Sequence, residues 1–179
     1  PGSANVACGG EYSLWERHAV MSLTEAYPLA QASQMSLQWM DHSRMFTSFA
    51  KASEVLDITD PAGQLVRLMT LAKRERPGPV HLDLPNDLLN AESGGLNDVK
   101  EGIPGKKPIV GDLDAIVSAI NRSEKPVLVI GPAVVRSGAS QTIVDLAEKL
   151  RVAVLVTYKA RRVISDTNPL YAGVLSGVC

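Results

Sequence analysis

Apolar positions along the chain follow two rhythms, and their alternation predicts an α/β protein. The clearest grammar lies at residues 60–85. Asp60 followed by Pro61 reads as an N-cap with proline at the first helical position. Leu65, Leu68, Met69 and Ala72 then fall at i, i+3, i+4 and i+7 on one face. Lys73, Arg74 and Arg76 crowd the last turn, where positive charge suits the helix dipole. Pro77-Gly78-Pro79 stops the helix, and VHLDL, residues 80–84, reads as a strand closed by Pro85.

A second helix is predicted over 113–121, with Leu113, Ile116, Val117 and Ile120 on one side. KPVLVIG, 125–131, reads as a buried parallel-type strand. A helix over 137–150 turns Ile143, Val144, Leu146, Ala147 and Leu150 inward, and VAVLVTY, 152–158, is a second buried strand. Strand, helix and strand in that order form a crossover unit.

The first sixty residues carry weaker signals. A helix is expected over 5–17 with Asn5 as its N-cap, a short strand over 18–23, and loop or short helix over 24–36. Helix-like spacing of Met40, Met45, Phe46 and Phe49 predicts a helix in 37–50, and residues 51–56 read as a short strand. Between the two better-patterned regions, residues 86–111 hold five glycines, the composition of a linker. The fold class that follows is two partial three-layer α/β/α domains with mainly parallel sheets, the second Rossmann-like. Their limits are 1–87 and 112–179, joined by a linker over 88–111. Each piece is shorter than the usual ~100–150 residues of a domain, so both look incomplete.

Composition narrows the function classes. The 179 residues carry 18 basic and 19 acidic side chains, a net charge of −1. That balance gives no electrostatic case for nucleic acid or an anionic membrane. Aromatic residues are only 4%, which argues against base-stacking surfaces. No stretch approaches the ~18–20 apolar residues of a membrane span. Cys8 and Cys179 have no metal-ligand spacing and make no disulfide framework, so a reducing, cytoplasmic compartment is expected.

Motifs for catalysis are sparse. His18, His42 and His81 have no HxxxH spacing and no cysteine partners. His81 in its strand reads as structural, His42 as a surface or hydrogen-bonded histidine, and Asp83 as a strand-end acceptor. No catalytic residue and no metal ligand is assigned. The strand-to-helix loop GPAVVRSG, 131–138, is the one candidate phosphate contact. Pro132 has no N–H to offer, and Ala133 and Val134 stand where glycines would admit a pyrophosphate. A structural βα turn and a nucleotide contact at Gly131 both remain open. Lys159, Arg161 and Arg162 follow a parallel strand, where ligands gather in open sheets, and a solvated basic loop is the competing reading.

Separated segments together resemble one family. PGSAN, 1–5, resembles the tail of the G-P-G-x-x-N loop of thiamine diphosphate-dependent enzymes. RPGPVHLDLPND, 76–87, resembles the ending of their pyrimidine-binding domain. KPVLVIGPAVVRSGA with VAVLVTYKARRVISDTNPLYAGVLSG resembles their central domain. LQWMD, 37–41, is similar to the F-Q-E-V-D segment of the acetolactate synthase-like branch, and Lys51 matches a lysine 13 residues beyond that glutamine.

The resemblance implies that Pro1 and Asn5 line the aminopyrimidine ring and that Gln38 stands beside the reactive side of thiamine diphosphate. It implies Mg²⁺ as a companion ion, a 2-oxo acid substrate, decarboxylase or carboligase chemistry, and a homo-oligomer. Gly131 and Lys159 would be the nucleotide contacts if the central domain holds FAD or ADP. The sequence departs from the family pattern at Thr24 and Glu25, at Leu37, at Asn86, at Gly131-Pro132-Ala133 and at Lys159-Ala160-Arg161-Arg162. These departures weigh against flavin and against acetolactate synthesis itself. The family's activating glutamate and metal-binding segment have no counterpart in the chain, so the expectation is an internal piece of a longer enzyme, inactive alone. The alternatives are a stand-alone nucleotide-binding α/β module and a non-catalytic homologue.

Overall fold

The computed structural model describes residues 2–28, 30, 31, 34, 39–92 and 111–176. The chain divides into two compact units, Pro1–Pro108 and Ile109–Cys179. Most of the expected linker lies outside the described residues.

In the first unit the elements are α1 (Gly2–Glu16), β1 (Met21–Ala26), α2 (His42–Phe46), β2 (Ser53–Val55), α3 (Pro61–Lys73) and β3 (Val80–Pro85). The three strands form a parallel sheet in the order β1-β3-β2, with Thr24 opposite Asp83 and Ser53 opposite His81. Because side chains alternate along a strand, β3 has two distinct faces. Val80 and Leu82 pack with Leu68 and Ala72 of α3, and Leu65, Leu71, Met21 and Leu84 complete that core. Each fully buried side chain of this kind contributes roughly 1.5–3 kcal/mol. His81 and Asp83 face the other way.

Local chemistry explains the boundaries of α3. Asp60 accepts the Gly63 N–H at 3.0 Å, and Pro61 sits in the first turn. At the other end Lys51 Nζ donates to the carbonyl oxygens of Leu71, Arg74 (2.8 Å) and Arg76 (3.0 Å). A cation thus meets the carbonyls that a helix end leaves unpaired. Burial, then the neighbouring Arg74 charge, holds the Lys51 ammonium below its ordinary range. Gln64 of α3 donates to Val55 O at 2.9 Å and accepts the Asp57 N–H at 2.8 Å, fastening the end of β2.

Several expectations for this unit are corrected. The first helix starts at Gly2, so Asn5 is an interior helical residue and not its N-cap. Strand β1 lies at 21–26 rather than 18–23, because it must register with β3. Of the helix expected in 37–50, residues 37 and 38 lie outside the described residues, and within 39–50 only the five residues of α2 are helical, capped by Asp41, with Phe49 in the turn beyond. Met69, on the apolar face of α3, is exposed.

The second unit contains α4 (Leu113–Arg122), β4 (Val127–Ile130), α5 (Pro132–Arg136), α6 (Ser140–Leu150), β5 (Ala153–Thr157), a 3₁₀ turn at Tyr158–Ala160 and β6 (Tyr171–Leu175). Its sheet is parallel in the order β4-β5-β6. Ile130, Ala147, Val152, Val154, Val156, Ala160, Val163 and Ile164 make its core. A register shift between β5 and β6 occurs at Val154/Leu155, next to Gly173, whose φ of +112° few other residues adopt.

Here the inward face of α6 and the burial of β4 are the main corrections. Leu113, Ile116 and Val117 of α4 are exposed, as are Leu146 and Leu150 of α6. Strand β4 is not buried on both sides: Val127 is 50% exposed and Val129 57%. It is an edge strand covered on one face by the core. An apolar stripe reveals which side of a helix is greasy, not what covers it. Pro132 opens a short helix where a plain loop was expected. No helix among the described residues is long and apolar enough to cross a membrane.

Candidate functional site

The first unit holds a cavity of about 760 Å³ at the C-terminal ends of β1 and β3. This is where ligands collect in parallel sheets. Gly2, Ser3 and Val6 from the start of α1 line one side, and Trp39, Met40 and Val55 contribute apolar surface. Glu25, Asp41, His42, Asp83 and Asn86 bring polar groups, and among the described residues no lysine or arginine lines it.

At the floor of this cavity the sheet face of β3 opposite α3 carries a polar cluster. In V-H-L-D-L the two-residue period puts His81 and Asp83 on one face. Parallel pairing brings Thr24 of β1 level with Asp83. Helix α2 covers the cluster. Its N-cap, Asp41, accepts the Arg44 N–H at 3.0 Å and the Ser43 hydroxyl at 2.8 Å. That cap sets His42 and Phe46, four residues apart, on one side of the helix. Phe46 stacks on His81, and His42 reaches Asp83.

The hydrogen bonds have a direction. Thr24 donates its hydroxyl proton to Asp83 Oδ1 at 2.5 Å. Having one proton, it must accept from His81 Nε2, 2.7 Å away. In neutral His81 that leaves Nδ1 to accept from the Ser53 hydroxyl at 2.8 Å. His42 Nδ1 lies 2.7 Å from Asp83 Oδ1, and an ionised carboxylate only accepts, so Nδ1 carries a proton. Burial pushes the Asp83 carboxyl up, but hydrogen bonds from His81, Thr24 and His42, together with the His42 charge, hold it below its ordinary value. His81 is fully buried, and the side chain of His42 is 13% exposed.

The residues singled out from sequence are distributed as follows. Pro1 and Gln38 lie outside the described residues, though Gly2 and Trp39 beside them line the cavity. Asn5 is exposed on α1 and is not among the lining residues. Gly131 precedes α5 with extended backbone, and Pro132 fills the first helical position. Lys159 is exposed in the 3₁₀ turn that packs against α5, so the two candidate contacts belong to neighbouring elements.

Sequence reasoning assigned no metal ligand, yet His42 Nδ1, His81 Nε2 and an Asp83 oxygen come within 4.8 Å of one another. The cluster as a whole was missed. The spacing in VHLDL carried half of the signal, and Thr24 registered only as a departure from the family pattern.

Residues 113–178 match the family of the thiamine pyrophosphate enzyme, central domain. A protein named "Probable acetolactate synthase large subunit" from Methanococcus aeolicus is 26% identical over 186 residues, 98% of this chain and 31% of that protein. Its namesake from Methanocaldococcus jannaschii is 28% identical over 183 residues, with the same 98% and 31% coverage. The chain therefore spans about a third of the length of the curated relatives it matches. The X-ray structure of "a putative thiamin diphosphate-dependent enzyme" from Mycobacterium smegmatis superposes with a TM-score of 0.76 at 23% identity, over 98% of this chain and 34% of that one. That likeness shows the shared fold. Over residues 113–178 the chain matches the central domain of thiamine pyrophosphate enzymes, and over nearly its whole length it is similar to proteins named as probable acetolactate synthase large subunits.

Proposed function

We propose that the chain supplies the pyrimidine-side wall of a thiamine diphosphate site and part of the central domain of an acetolactate synthase-like enzyme. Such an enzyme would act on a 2-oxo acid as decarboxylase or carboligase. The observation that carries this reading is the makeup of the cavity. Apolar Val6, Trp39, Met40 and Pro85 can flank a planar heterocycle, and Ser3 and Asn86 can meet its polar edge. With no lysine or arginine among the described residues that line it, the cavity suits the neutral ring better than the diphosphate. When bound, the cofactor supplies the electron sink for making or breaking a C–C bond beside a carbonyl. This chain's residues would orient the ring and exclude water around it.

Pro1, Asn5 and Gln38 are the proposed cofactor-side residues, and Mg²⁺ with the diphosphate would be held by other residues. Gly131 and Lys159 mark where an ADP or FAD phosphate would meet the second unit, beside the C-terminal ends of β4 and β5. Pro132 removes one amide from that contact and weighs against the flavin. The first unit is read as the later part of a pyrimidine-binding domain and the second as the start of a central domain. A homo-oligomer is proposed, supported by the uncovered apolar side of α4 and the exposed face of β4. The exposed free Cys8 accords with a reducing, cytoplasmic location.

Trp39 provides the test. In a Trp15→Phe background, thiamine should change Trp39 emission saturably while inorganic diphosphate leaves it unchanged. A response to diphosphate alone, or none to thiamine, overturns the reading.

A further inference from the structure

The buried row Ser53–His81–Thr24–Asp83–His42 ends at the cavity. Four of its five members stand on three neighbouring strands at two levels, two residues apart, so the row is built by the sheet rather than by a loop. Each hydroxyl and ring nitrogen in it has a partner up to His42 Nδ1. The last ring nitrogen, His42 Nε2, makes no hydrogen bond among the described residues, and His42 lines the cavity. With Nδ1 protonated against Asp83, neutral His42 carries its lone pair on Nε2. A base held in one tautomer by a buried carboxylate is the arrangement that general acid–base chemistry requires.

We propose that His42 is the proton-transfer group of this cavity and that Asp83 is its positioning residue. The ligand it takes is a molecule presenting an ionisable O–H or N–H. The proton leaves that group for Nε2, the donor keeps the electron pair, and the resulting imidazolium is paired through Nδ1–H with the Asp83 carboxylate. Return of the proton from Nε2 restores the neutral ring. Thr24, His81 and Ser53 act through Asp83, saturating its inner oxygen and fixing its orientation.

A metal ion is the competing occupant of the same side chains. Two features favour the proton. Both nitrogens of His81 are already engaged with hydroxyl groups, and Asp83 Oδ1 already accepts from Thr24 and from His42 Nδ1. The cluster is therefore satisfied without an ion. The inference goes beyond the family reading above: it rests on the cluster's geometry, whichever cofactor the cavity serves.

The test uses the ¹⁵N-labelled chain without added cofactor. At a pH where the ring is neutral, long-range ¹H–¹⁵N spectra should show His42 as the Nδ1–H tautomer and His81 as the Nε2–H tautomer. In Asp83→Asn the two His42 nitrogen shifts should converge, with Asp83→Glu restoring their separation. Diethyl pyrocarbonate, mapped by mass spectrometry, should modify His42 and the exposed His18 but spare His81. An Nε2–H tautomer at His42 in the unsubstituted protein overturns the proposal, as does resistance of His42 to the reagent while His18 reacts. One equivalent of Zn²⁺ shifting both His42 and His81 at saturation would make the cluster a metal centre and equally overturn it.

Discussion

Phe46 lies flat against His81, with ring centroids 3.7 Å apart and planes 5° from parallel. Both side chains are almost wholly buried, so this contact closes the α2 side of the polar cluster. Phe46→Ala should destabilise the first unit by about 3–5 kcal/mol. Both tryptophans, Trp15 and Trp39, belong to that unit, so urea unfolding followed by their fluorescence isolates it from the second. A loss below ~1 kcal/mol would mean that α2 does not seal the cluster.

Lys51 should behave as a clamp. Lys51→Met removes three hydrogen bonds to the carbonyls of Leu71, Arg74 and Arg76 while keeping much of the apolar stem. Charged hydrogen bonds are worth ~1.5–3 kcal/mol, and the expected cost lies in that range. Faster amide exchange should follow at the end of α3, with little change at its Asp60 cap. Uniform exchange rates along α3 would count against the clamp.

Acid should weaken the first unit through Glu54. Arg67 grips this carboxylate with two bonds of 2.7 and 2.6 Å, and that contact holds it at about 2 against an ordinary 4.5. The folded value is the lower one, so the contribution is present above pH 4.5 and is lost as pH falls towards about 2. Arg67 is 58% exposed, so screening limits the pair to under ~1 kcal/mol. Glu54→Gln should therefore flatten the slope of stability against pH in that window and leave the slope near neutrality untouched. An unchanged acid slope in the variant would remove Glu54 as its source.

Gly173 and Gly131 should respond oppositely to alanine. Neither has a heavy atom within 4 Å of an added Cβ, so space does not separate them. Backbone does: Gly173 has φ +112°, and Gly131 has φ −103°. Gly173→Ala should cost the second unit ~1 kcal/mol or more, read as faster amide exchange in β5 and β6. Gly131→Ala should be neutral or mildly stabilising. Equal effects would place the constraint elsewhere.

How far these features were legible in the sequence depends on how local their causes are. Helix α3 was readable because Asp60, Pro61 and the Leu65–Ala72 face all act within a few residues of one another. Asn5 misled because a good capping residue is also tolerated inside a helix, and α1 begins three positions earlier. Met40, Met45, Phe46 and Phe49 imitated a long helix, although only Phe46 among them is buried. The cluster lay mostly out of reach. Its faces were implicit in VHLDL, but Thr24 meets His81 across 57 residues of chain and His42 meets Asp83 across 41. Those meetings depend on strand pairing, which a single sequence does not state.

The strand order of the first sheet bears on how the protein emerges during synthesis. Strand β3 is the last of the three in the chain and the middle one in space, and among the described residues β1 and β2 each pair only with it. A nascent chain that has not yet released residues 80–85 therefore lacks both of these strand pairs. Until then Met21–Ala26 and Ser53–Val55 wait without β3, and Thr24 and His42 wait without Asp83. A ribosome pausing before Val80 would hold a chain with helical turns and sticky edges, the state most exposed to aggregation and to chaperone capture.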